Sequence, residues 1–229
     1  GQKAFDTPGR RGSDFFEGMA QVYSANRVGY IDTTGQIVIA PQYTSAGVFN
    51  EGRAAVQIDD KFGFIDALGN LAVPAQYEAV MDFSQGLAPV LAGAAWGFVD
   101  LDGNVAIAPQ FETANPFGPD GYAPVTVGGK WGFIDRSGAF VVEPQFDSYV
   151  VEFYGQPAFP EGVAAVLRDG LWGFVNANGE YVIEPQFSFA QNFAGGLARV
   201  ELGDQYGYID RSGAFVWGPA TSPWALPAP

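Results

Sequence analysis

Residues 130–146 read KWGFIDRSGAFVVEPQF, and variants of this unit account for nearly all of the chain between residues 15 and 217. The glycine that follows the aromatic residue returns after 34, 34, 35, 41 and 34 residues. A sequence that repeats at such a period predicts a fold built from repeated structural units. The six copies are marked by Gly29, Gly63, Gly97, Gly132, Gly173 and Gly207.

Each copy carries three stretches with the pattern of β-strands. The first alternates small apolar residues, as at Ala54 and Val56, which places these side chains on one face. The second combines aromatic and β-branched residues, as in residues 131–134 (WGFI), which suit a pleated surface. The third is short and is represented by Phe140 and Val142. We therefore predict a three-stranded β-meander in every copy.

The turn between the second and third strands has a strong local signature. Asp135 and Gly138 stand at its first and fourth positions, where aspartate accepts backbone amides and glycine supplies a left-handed residue. After the third strand comes Pro-Gln-aromatic, as in residues 144–146, and we predict that the proline ends the strand because it cannot donate to a ladder. The six turns span residues 32–35, 66–69, 100–103, 135–138, 176–179 and 210–213.

Such a meander is apolar on both faces, because Trp131 and Phe133 project to one side and Ile134 to the other. Each copy therefore needs a neighbour on each side. Two all-β architectures meet this need: an open array (solenoid or superhelix) of six three-stranded repeats, and a closed six-bladed propeller-like ring. The 34-residue period is shorter than the blade of about 40 residues usual in propellers. Since neither end shows a strand that would complete the other, we favour the open array.

The chain divides into one repeat array and two tails. Residues 15–217 hold the six repeats. Residues 1–14 are basic and rich in glycine, and residues 218–229 are rich in proline and alanine. Both ends lack hydrophobic periodicity, so we predict that they are flexible.

Composition argues against several functions. The net charge of −14 opposes binding to nucleic acid or to anionic membranes. No apolar run approaches the ~18 residues of a membrane-spanning helix, so no membrane insertion is expected. Cysteine and histidine are both absent, which removes thiol chemistry, the commonest general base and the commonest transition-metal ligand. We therefore predict no enzyme activity, no catalytic residues, no cofactor and no metal.

Two chemical alternatives rest on carboxylates. Residues 100–104 (DLDGN) resemble the start of a calcium loop, but no bidentate glutamate follows at the required distance and Asn176 replaces the first aspartate in another copy. The hydrogen bonds of the Asp-x-x-Gly turns explain the recurring aspartates better than calcium binding does. A carboxylate-dependent hydrolase would need a pair such as Glu143 and Glu184. These two recur at one repeat position, which favours surface decoration.

The units resemble the WG-repeat family, also called KWG repeats. The Trp-Gly pair stands outright at Trp96, Trp131 and Trp172, whereas Phe62 and Tyr206 replace the tryptophan in two other copies. The resemblance covers about residues 15–217. It implies a bacterial β-rich repeat protein, often exported to the periplasm or beyond, with a binding or scaffolding role and no catalytic residues to carry over. Replacement of the tryptophan by other apolar residues favours a core position over a ligand-binding one.

An insertion at residues 147–158 is the most specific feature, since the other copies lack its seven extra residues. Insertions into repeats usually form loops, often on a binding face. We predict binding residues at Tyr149, Glu152, Phe153 and Tyr154. The favoured function is a non-catalytic binding or scaffold protein that presents an extended β surface to a protein partner, or secondly to a glycan. A purely structural spacer or surface element is the alternative. The sequence does not fix the oligomeric state.

Overall fold

A computed structural model of the chain describes residues 13–150 and 156–221. These ranges contain 23 β-strands and one 3₁₀ turn, Pro160–Gly162. The strands form six antiparallel sheets, numbered 1 to 6 here in chain order. The chain folds as two compact units, residues 1–109 and 110–229.

Sheets 1 to 3 lie in the first half of the chain, and their last strand crosses the boundary between the units. Sheet 1 is β1 (Met19–Ser24), β2 (Arg27–Asp32) and β3 (Ile37–Tyr43). Sheet 2 is β4 (Ser45–Ala46), β5 (Ala54–Ile58), β6 (Lys61–Ile65) and β7 (Leu71–Tyr77). Sheet 3 is β8 (Ala79–Val80), β9 (Leu87–Ala92), β10 (Ala95–Asp100) and β11 (Val105–Phe111).

Sheets 4 to 6 belong to the second unit. Sheet 4 is β12 (Thr113–Ala114), β13 (Ala123–Val127), β14 (Lys130–Ile134) and β15 (Phe140–Phe146). Sheet 5 is β16 (Ser148–Tyr149), β17 (Val163–Arg168), β18 (Leu171–Asn176) and β19 (Tyr181–Phe187). Sheet 6 is β20 (Phe189–Ala190), β21 (Ala198–Leu202), β22 (Gln205–Ile209) and β23 (Phe215–Thr221).

Every sheet is made of strands that are consecutive in the sequence. In the described residues, no strand joins a sheet from elsewhere in the chain and no sheet closes into a barrel. This connectivity confirms the all-β class and the open tandem array of β-meanders. Five sheets have one strand more than predicted, because the linker before each of them adds a two-residue strand to the meander. A strand of two residues is too short to show a period.

The proline of the Pro-Gln-aromatic motif does not end the third strand, contrary to the prediction. In sheet 4, Phe133 pairs with Val142, whereas Trp131 pairs with Phe146, so the intervening residues of β15 form a bulge. A proline within a bulge has no ladder bond to lose. The strand therefore runs through Pro144 to the aromatic residue.

The bulge explains the glycine of the Trp-Gly pair. A Cβ added at Gly132 would lie 2.7 Å from the carbonyl oxygen of Val142 and 2.7 Å from the nitrogen of Pro144. The same glycine of the other five copies faces the bulged backbone at 2.4–2.7 Å. Two sequence motifs that lie about twelve residues apart are thus one structural contact.

The predicted Asp-x-x-Gly hairpin turns are confirmed. In the first copy, the Gly35 amide donates to the Asp32 carbonyl at 3.0 Å, and Gly35 has a φ of 83°. The Asp32 carboxylate accepts the amides of Thr34 and Gln36 at 2.8 and 3.0 Å. Asn176 does the same with its amide oxygen, which explains why it can replace aspartate.

Within each unit, neighbouring sheets bury the faces that they turn toward each other, as predicted. The contact between sheets 4 and 5 shows the general arrangement, since an aromatic-rich face meets a face of small and β-branched residues. Phe133, Val142 and Phe146 of sheet 4 pack in one cluster with Ala164, Val166 and Val175 of sheet 5. The opposite face of sheet 5 supplies Phe174, Ile183 and Phe187 to a cluster with Ala198, Val200 and Ile209 of sheet 6.

The tryptophan of the Trp-Gly pair is less buried than predicted. Trp131 and Trp172 are half-buried and pack at the margin of these clusters. The aromatic residue two positions later is fully enclosed, since Phe133 and Phe174 are both 0% exposed. The second strand therefore contributes its phenylalanine to the centre of the core and its tryptophan to the edge.

Each linker carries a phenylalanine, here called the linker phenylalanine, and four of these cover the core aromatic residue of the preceding sheet. The contacts have ring centroids less than 5 Å apart and inclined planes, a favourable geometry for aromatic pairs. They are Tyr30–Phe49 (4.9 Å), Phe64–Phe83 (4.6 Å), Phe133–Phe159 (4.7 Å) and Phe174–Phe193 (4.9 Å).

A glutamate links several successive repeats through a contact that we call the glutamate rung. The first strand of a repeat is preceded by a two-residue turn in the left-handed region, as at Glu51 (φ 51°) and Gly52 (φ 72°). The amides of this turn point toward a carboxylate of the preceding repeat. The rungs join Glu17 to the amides of Glu51 and Gly52 (2.9 and 2.8 Å), Glu51 to those of Gln85 and Gly86 (both 2.8 Å), and Glu161 to that of Gly196 (3.1 Å).

Among the residues that the structure describes, none form a helix with the length and apolar character needed to traverse a bilayer.

Candidate functional site

The insertion predicted to carry the binding residues is only partly described. Glu152, Phe153 and Tyr154 lie outside the described residues. Tyr149 is 8% exposed, and its ring lies 4.8 Å from that of Trp131. Its hydroxyl accepts a hydrogen bond from the side-chain amide of Asn115. Tyr149 is therefore part of the core between sheets 4 and 5 and offers little area to a partner.

The face of sheet 6 that points away from sheet 5 is the strongest candidate for a binding surface. In β21, Ala198 and Val200 pack toward sheet 5, so the alternating residues Arg199 and Glu201 point the other way. Strand pairing sets Tyr208 opposite Arg199 and Trp217 opposite Tyr208, and it sets Tyr206 opposite Glu201. We call this surface the terminal face. It consists of Arg199, Glu201, Tyr206, Tyr208 and Trp217.

Trp217 is exposed at a position that is buried in all other repeats. Its side chain is 51% exposed. The residues at the same place in sheets 1 to 5 are aliphatic and at most 5% exposed. The sixth sheet therefore replaces a small buried residue with the largest side chain where the face is open. The five equivalents are Ile39, Val73, Ile107, Val142 and Ile183.

Tyr208 differs from its equivalents in the same way. It is 39% exposed, whereas the core aromatic residues of sheets 1 to 5 are at most 1% exposed. Its ring lies 6.2 Å from that of Trp217, and the Tyr206 ring lies 5.5 Å from Trp217 on the other side. The three rings form one aromatic cluster on the surface. The five equivalents of Tyr208 are Tyr30, Phe64, Phe98, Phe133 and Phe174.

An ion pair borders the aromatic cluster. Arg199 Nη2 lies 2.6 Å from Glu201 Oε1. The guanidinium carbon of Arg199 also lies 5.6 Å from the centre of the Tyr206 ring, within the range of a cation–π contact. In sheet 5 the corresponding residues are Ala165 and Leu167, which are apolar. Sheet 6 thus presents an amphipathic surface where sheet 5 presents apolar side chains.

The sequence analysis missed the terminal face. The available signal was the charged pair Arg199 and Glu201 at positions that are uncharged in the other copies, together with Trp217 at a position that is aliphatic in the others. Its meaning depends on knowing which strand residues share a face. The bulge in the third strand obscures that assignment, because it shifts the alternation of side chains.

The acidic residues considered for metal binding or catalysis either form turn contacts or are exposed on separate sheets. Asp100 accepts the amides of Asp102 and Asn104 at 3.0 and 2.8 Å, and the Asn104 side chain with these amides holds the pKa of the Asp100 carboxyl below its usual value. Glu143 and Glu184 are both exposed. Within residues 13–150 and 156–221, no three Asp, Glu, His or Cys side chains are grouped so as to hold a metal ion.

These observations define an all-β tandem-repeat protein with one amphipathic sheet face open at the end of the described array. The family described as "WG containing repeat" matches five consecutive segments, residues 29–62, 62–93, 96–131, 131–172 and 172–206. The chain belongs to the WG-repeat family, which confirms the resemblance found in the sequence.

Two solved structures illustrate the wider similarity of the fold. One, described as the crystal structure of the eukaryotic initiation factor, is 12% identical, with a TM-score of 0.54 over 95% of this chain and 67% of that chain. The other, Hsv2 of Kluyveromyces lactis, is 10% identical, with a TM-score of 0.47 over 85% of this chain and 71% of that chain. At 12% identity, the likeness to the first of these structures concerns the fold alone. No curated protein matches the chain.

Proposed function

We propose that the protein is a non-catalytic binding scaffold and that its terminal face contacts a protein partner. One observation supports this proposal above the others. Trp217 and Tyr208 are 51% and 39% exposed at positions where every other repeat buries its side chain. Tryptophan, tyrosine and arginine are the residues that most often dominate the binding energy of protein interfaces, and the terminal face brings all three together.

The arrangement of the variable residues favours a binder over a structural spacer. A spacer needs only a polar cap on its last repeat, and the Arg199–Glu201 pair alone supplies one. The exposed Trp217 adds apolar area to the cap, which a spacer does not need. The residues that distinguish the last copy also meet on one face, whereas a spacer predicts that such differences are scattered.

A protein partner is favoured over a glycan because of the geometry of the rings. The Trp217 and Tyr208 planes are inclined by 61°, so they do not offer one flat platform to a sugar ring. Inclined rings with an adjacent ion pair fit the mixed apolar and polar surface of a protein. The hydrolase alternative gains no support, since the candidates Glu143 and Glu184 are exposed side chains of separate sheets.

The test compares affinity capture by the wild-type chain and by Trp217→Ala, using an extract of the source cells and mass spectrometry. We expect a protein that Trp217→Ala retains at least about tenfold less well, with the melting temperature of the bait unchanged. Leu68→Ala is the matched control, because Leu68 is 78% exposed and lies in the turn between β6 and β7, which is not part of the terminal face. The captured protein is then purified, and its affinity is measured by calorimetry. Equal capture by all three baits contradicts the proposal, and capture of a glycan that depends on Trp217 favours the alternative partner.

A further inference from the structure

Sheets 1 to 3 share a row of exposed aliphatic side chains at the start of the third strand. The residues are Ile37, Leu71 and Val105, which are 50%, 50% and 57% exposed. Single apolar residues are common on protein surfaces, whereas apolar residues that are grouped on the surface often mark an interaction site. We call these three residues the aliphatic row.

The same repeat position has a structural use in sheets 4 and 5. The ring of Phe140 lies 6.2 Å from that of Phe111, and the ring of Tyr181 lies 6.4 Å from that of Phe146. Each of these rings packs against the aromatic residue that ends the third strand of the preceding sheet, and both Phe140 and Tyr181 are half-buried. The shorter side chains of the aliphatic row are left half in water. Their exposure is therefore not a general consequence of the repeat.

The aliphatic row lies along the same edge as the Asp-x-x-Gly turns of the first unit. A Cβ placed on Gly69 would lie 3.3 Å from the side chain of Ile39, so the turn of sheet 2 rests on the third strand of sheet 1. A Cβ placed on Gly103 would lie 3.5 Å from the Cα of Val73, so the turn of sheet 3 rests in the same way on sheet 2. The turns and the third strands therefore adjoin each other along one edge of sheets 1 to 3.

The surroundings of the aliphatic row are acidic. Asp66 and Asp100 begin the turns that lead to the second and third residues of the row, and Asp102 is exposed in the latter turn. The asparagine side chain four residues later and the backbone amides of the turn hold the pKa of the Asp66 and Asp100 carboxyls below the usual value, so both are ionised at neutral pH. Residues 13–109 contain eleven acidic and three basic residues, which gives this segment a net charge of −8.

The three basic side chains of this segment do not neutralise the acids around the row. Arg27 and Lys61 begin β2 and β6, at the end of each strand that is distant from these turns. Lys61 is also paired with Glu78 at 2.6 Å. Arg53 is close to the turns, and its Nε donates to the carbonyl oxygen of Leu101 at 3.0 Å. Carboxylates therefore outnumber basic groups beside the aliphatic row.

We propose that the aliphatic row binds a partner protein through a segment that combines aliphatic and basic side chains. The aliphatic side chains of such a segment bury the exposed halves of Leu71 and Val105, and its lysine or arginine side chains pair with Asp66 and Asp100. An acidic segment would be repelled by these carboxylates, and a purely polar one would leave the row in water. The proposal is independent of the terminal face, because all of its residues belong to the first unit.

The first experiment measures the binding of a short fluorescein-labelled peptide of leucine and lysine to the full chain by fluorescence anisotropy. Two further peptides replace every leucine by serine or every lysine by glutamate, and neither binds as tightly. Leu71→Ala weakens binding of the leucine–lysine peptide about fivefold, and Leu71→Lys, which adds a repelling charge, weakens it further. Leu171→Ala is the matched control and leaves the affinity unchanged, because Leu171 is 42% exposed at the start of β18 in the second unit.

A second experiment tests the charge with Asp66→Asn. Asn176 shows that asparagine makes the same turn contacts, so the turn is retained. The affinity for the leucine–lysine peptide should fall about two- to threefold at low salt, and the difference should shrink as salt is added. Asp204→Asn is the matched control, because it changes the net charge equally at an exposed residue of sheet 6.

Four outcomes overturn the inference. Failure of the leucine–lysine peptide to bind at up to ~1 mM excludes the proposed partner chemistry. Equal binding of the serine–lysine peptide reduces the interaction to net charge. Equal affinities of each variant and its matched control place the binding elsewhere on the chain. Leu71-dependent binding to phosphatidylcholine vesicles, with no binding of the peptides, assigns the row to a lipid surface. If Leu71→Ala lowers the melting temperature, Val105→Ala provides the same test at the next position of the row.

Discussion

Gly132 shows how strongly a single position constrains the repeat. The residue is glycine because the bulged strand β15 crosses directly over it, with the Val142 carbonyl oxygen 2.7 Å from the place of a Cβ. The obstructing atoms belong to the backbone, so they cannot rotate away as a flexible side chain can. The tryptophan before it is less constrained, which agrees with its replacement by Phe62 and Tyr206 in other copies.

We therefore expect Gly132→Ala to lower the free energy of unfolding by about 1–3 kcal/mol, as measured by urea denaturation. Gly47→Ala is the control, because a Cβ there has its nearest neighbour, Asp82 Oδ1, at 3.5 Å, an ordinary contact distance. Its free energy of unfolding should stay within about 0.5 kcal/mol of wild type. Equal losses at both glycines would refute the backbone contact as the cause.

Asp82 gives a second prediction, in the opposite direction. Its side chain reaches the surface, yet the surrounding protein desolvates the carboxyl and raises its pKa. A raised folded-state pKa means that the charged form destabilises the fold, fully above that pKa and not at all below the unfolded value of about 3.9. Asp82→Asn should therefore raise the melting temperature at pH 7, and the gain should vanish near pH 3.

The control for this prediction is Asp60→Asn, which removes one charge at an exposed turn residue. Melting curves at pH 7 and pH 3 separate the two explanations. A gain for Asp82→Asn alone supports local desolvation. The same gain for Asp60→Asn would instead indicate general relief of the net charge of −14.

Among the structural elements, those with local causes could be predicted and those with distant causes could not. The Asp-x-x-Gly hairpins are specified by four adjacent residues, so the sequence alone identified all six. The bulge at Pro144 and the two-residue strand β12 depend on backbone from another strand, which leaves no local period. The terminal face is harder still to predict from the sequence, because Trp217 is unusual only when its burial is compared with that of Val142.

The glutamate rung is an element that no sequence period revealed, although its residues are one repeat apart. Glu51 accepts the amides of Gln85 and Gly86, both at 2.8 Å. Glu51→Gln keeps one acceptor oxygen and loses the charge, so we expect the melting temperature to fall by about 2–4 °C. Hydrogen exchange should also become faster at the Gln85 and Gly86 amides.

Glu143→Gln is the matched control for the rung, since Glu143 is an exposed glutamate in a strand bulge. It should change neither the melting temperature nor the exchange of those two amides. Faster exchange over the whole of sheet 3 in Glu51→Gln would show general destabilisation and would count against a specific rung.

Across the whole molecule, much of the acidity has a structural cause. Five turn aspartates accept amides within their own hairpins, and three glutamates form rungs between repeats. Glu78, Glu112 and Asp147 accept amides at the tips of the hairpins between first and second strands. In a repeat protein, an acidic residue that the turn requires recurs in successive copies. The net charge of −14 therefore reflects turn chemistry as well as the nature of the partner.

This distribution predicts how the whole array responds to acid. Hydrogen bonds from the neighbouring Thr, Ser or Asn side chain and from backbone amides lower the pKa of all five turn aspartates. A lowered folded-state pKa stabilises the fold at every pH above the unfolded value of about 3.9, and this contribution is lost as the pH falls through the folded-state value. The melting temperature should therefore fall as the pH drops below about 4. The aspartates are Asp32, Asp66, Asp100, Asp135 and Asp210.

Asn176 indicates how to test whether the turn aspartates cause this acid sensitivity, because it makes the same turn contacts at 2.9 and 3.0 Å without a titrating group. A variant with all five turn aspartates changed to asparagine should keep its fold at pH 7. Its melting temperature should fall much less on acidification than that of wild type. The matched control changes an equal number of exposed acids outside these positions to amides, so that net charge is the same. If both variants flatten the acid response equally, the loss of stability comes from overall charge and the turn carboxylates are not its cause. The control residues are Asp60, Asp102, Glu143, Glu184 and Asp204.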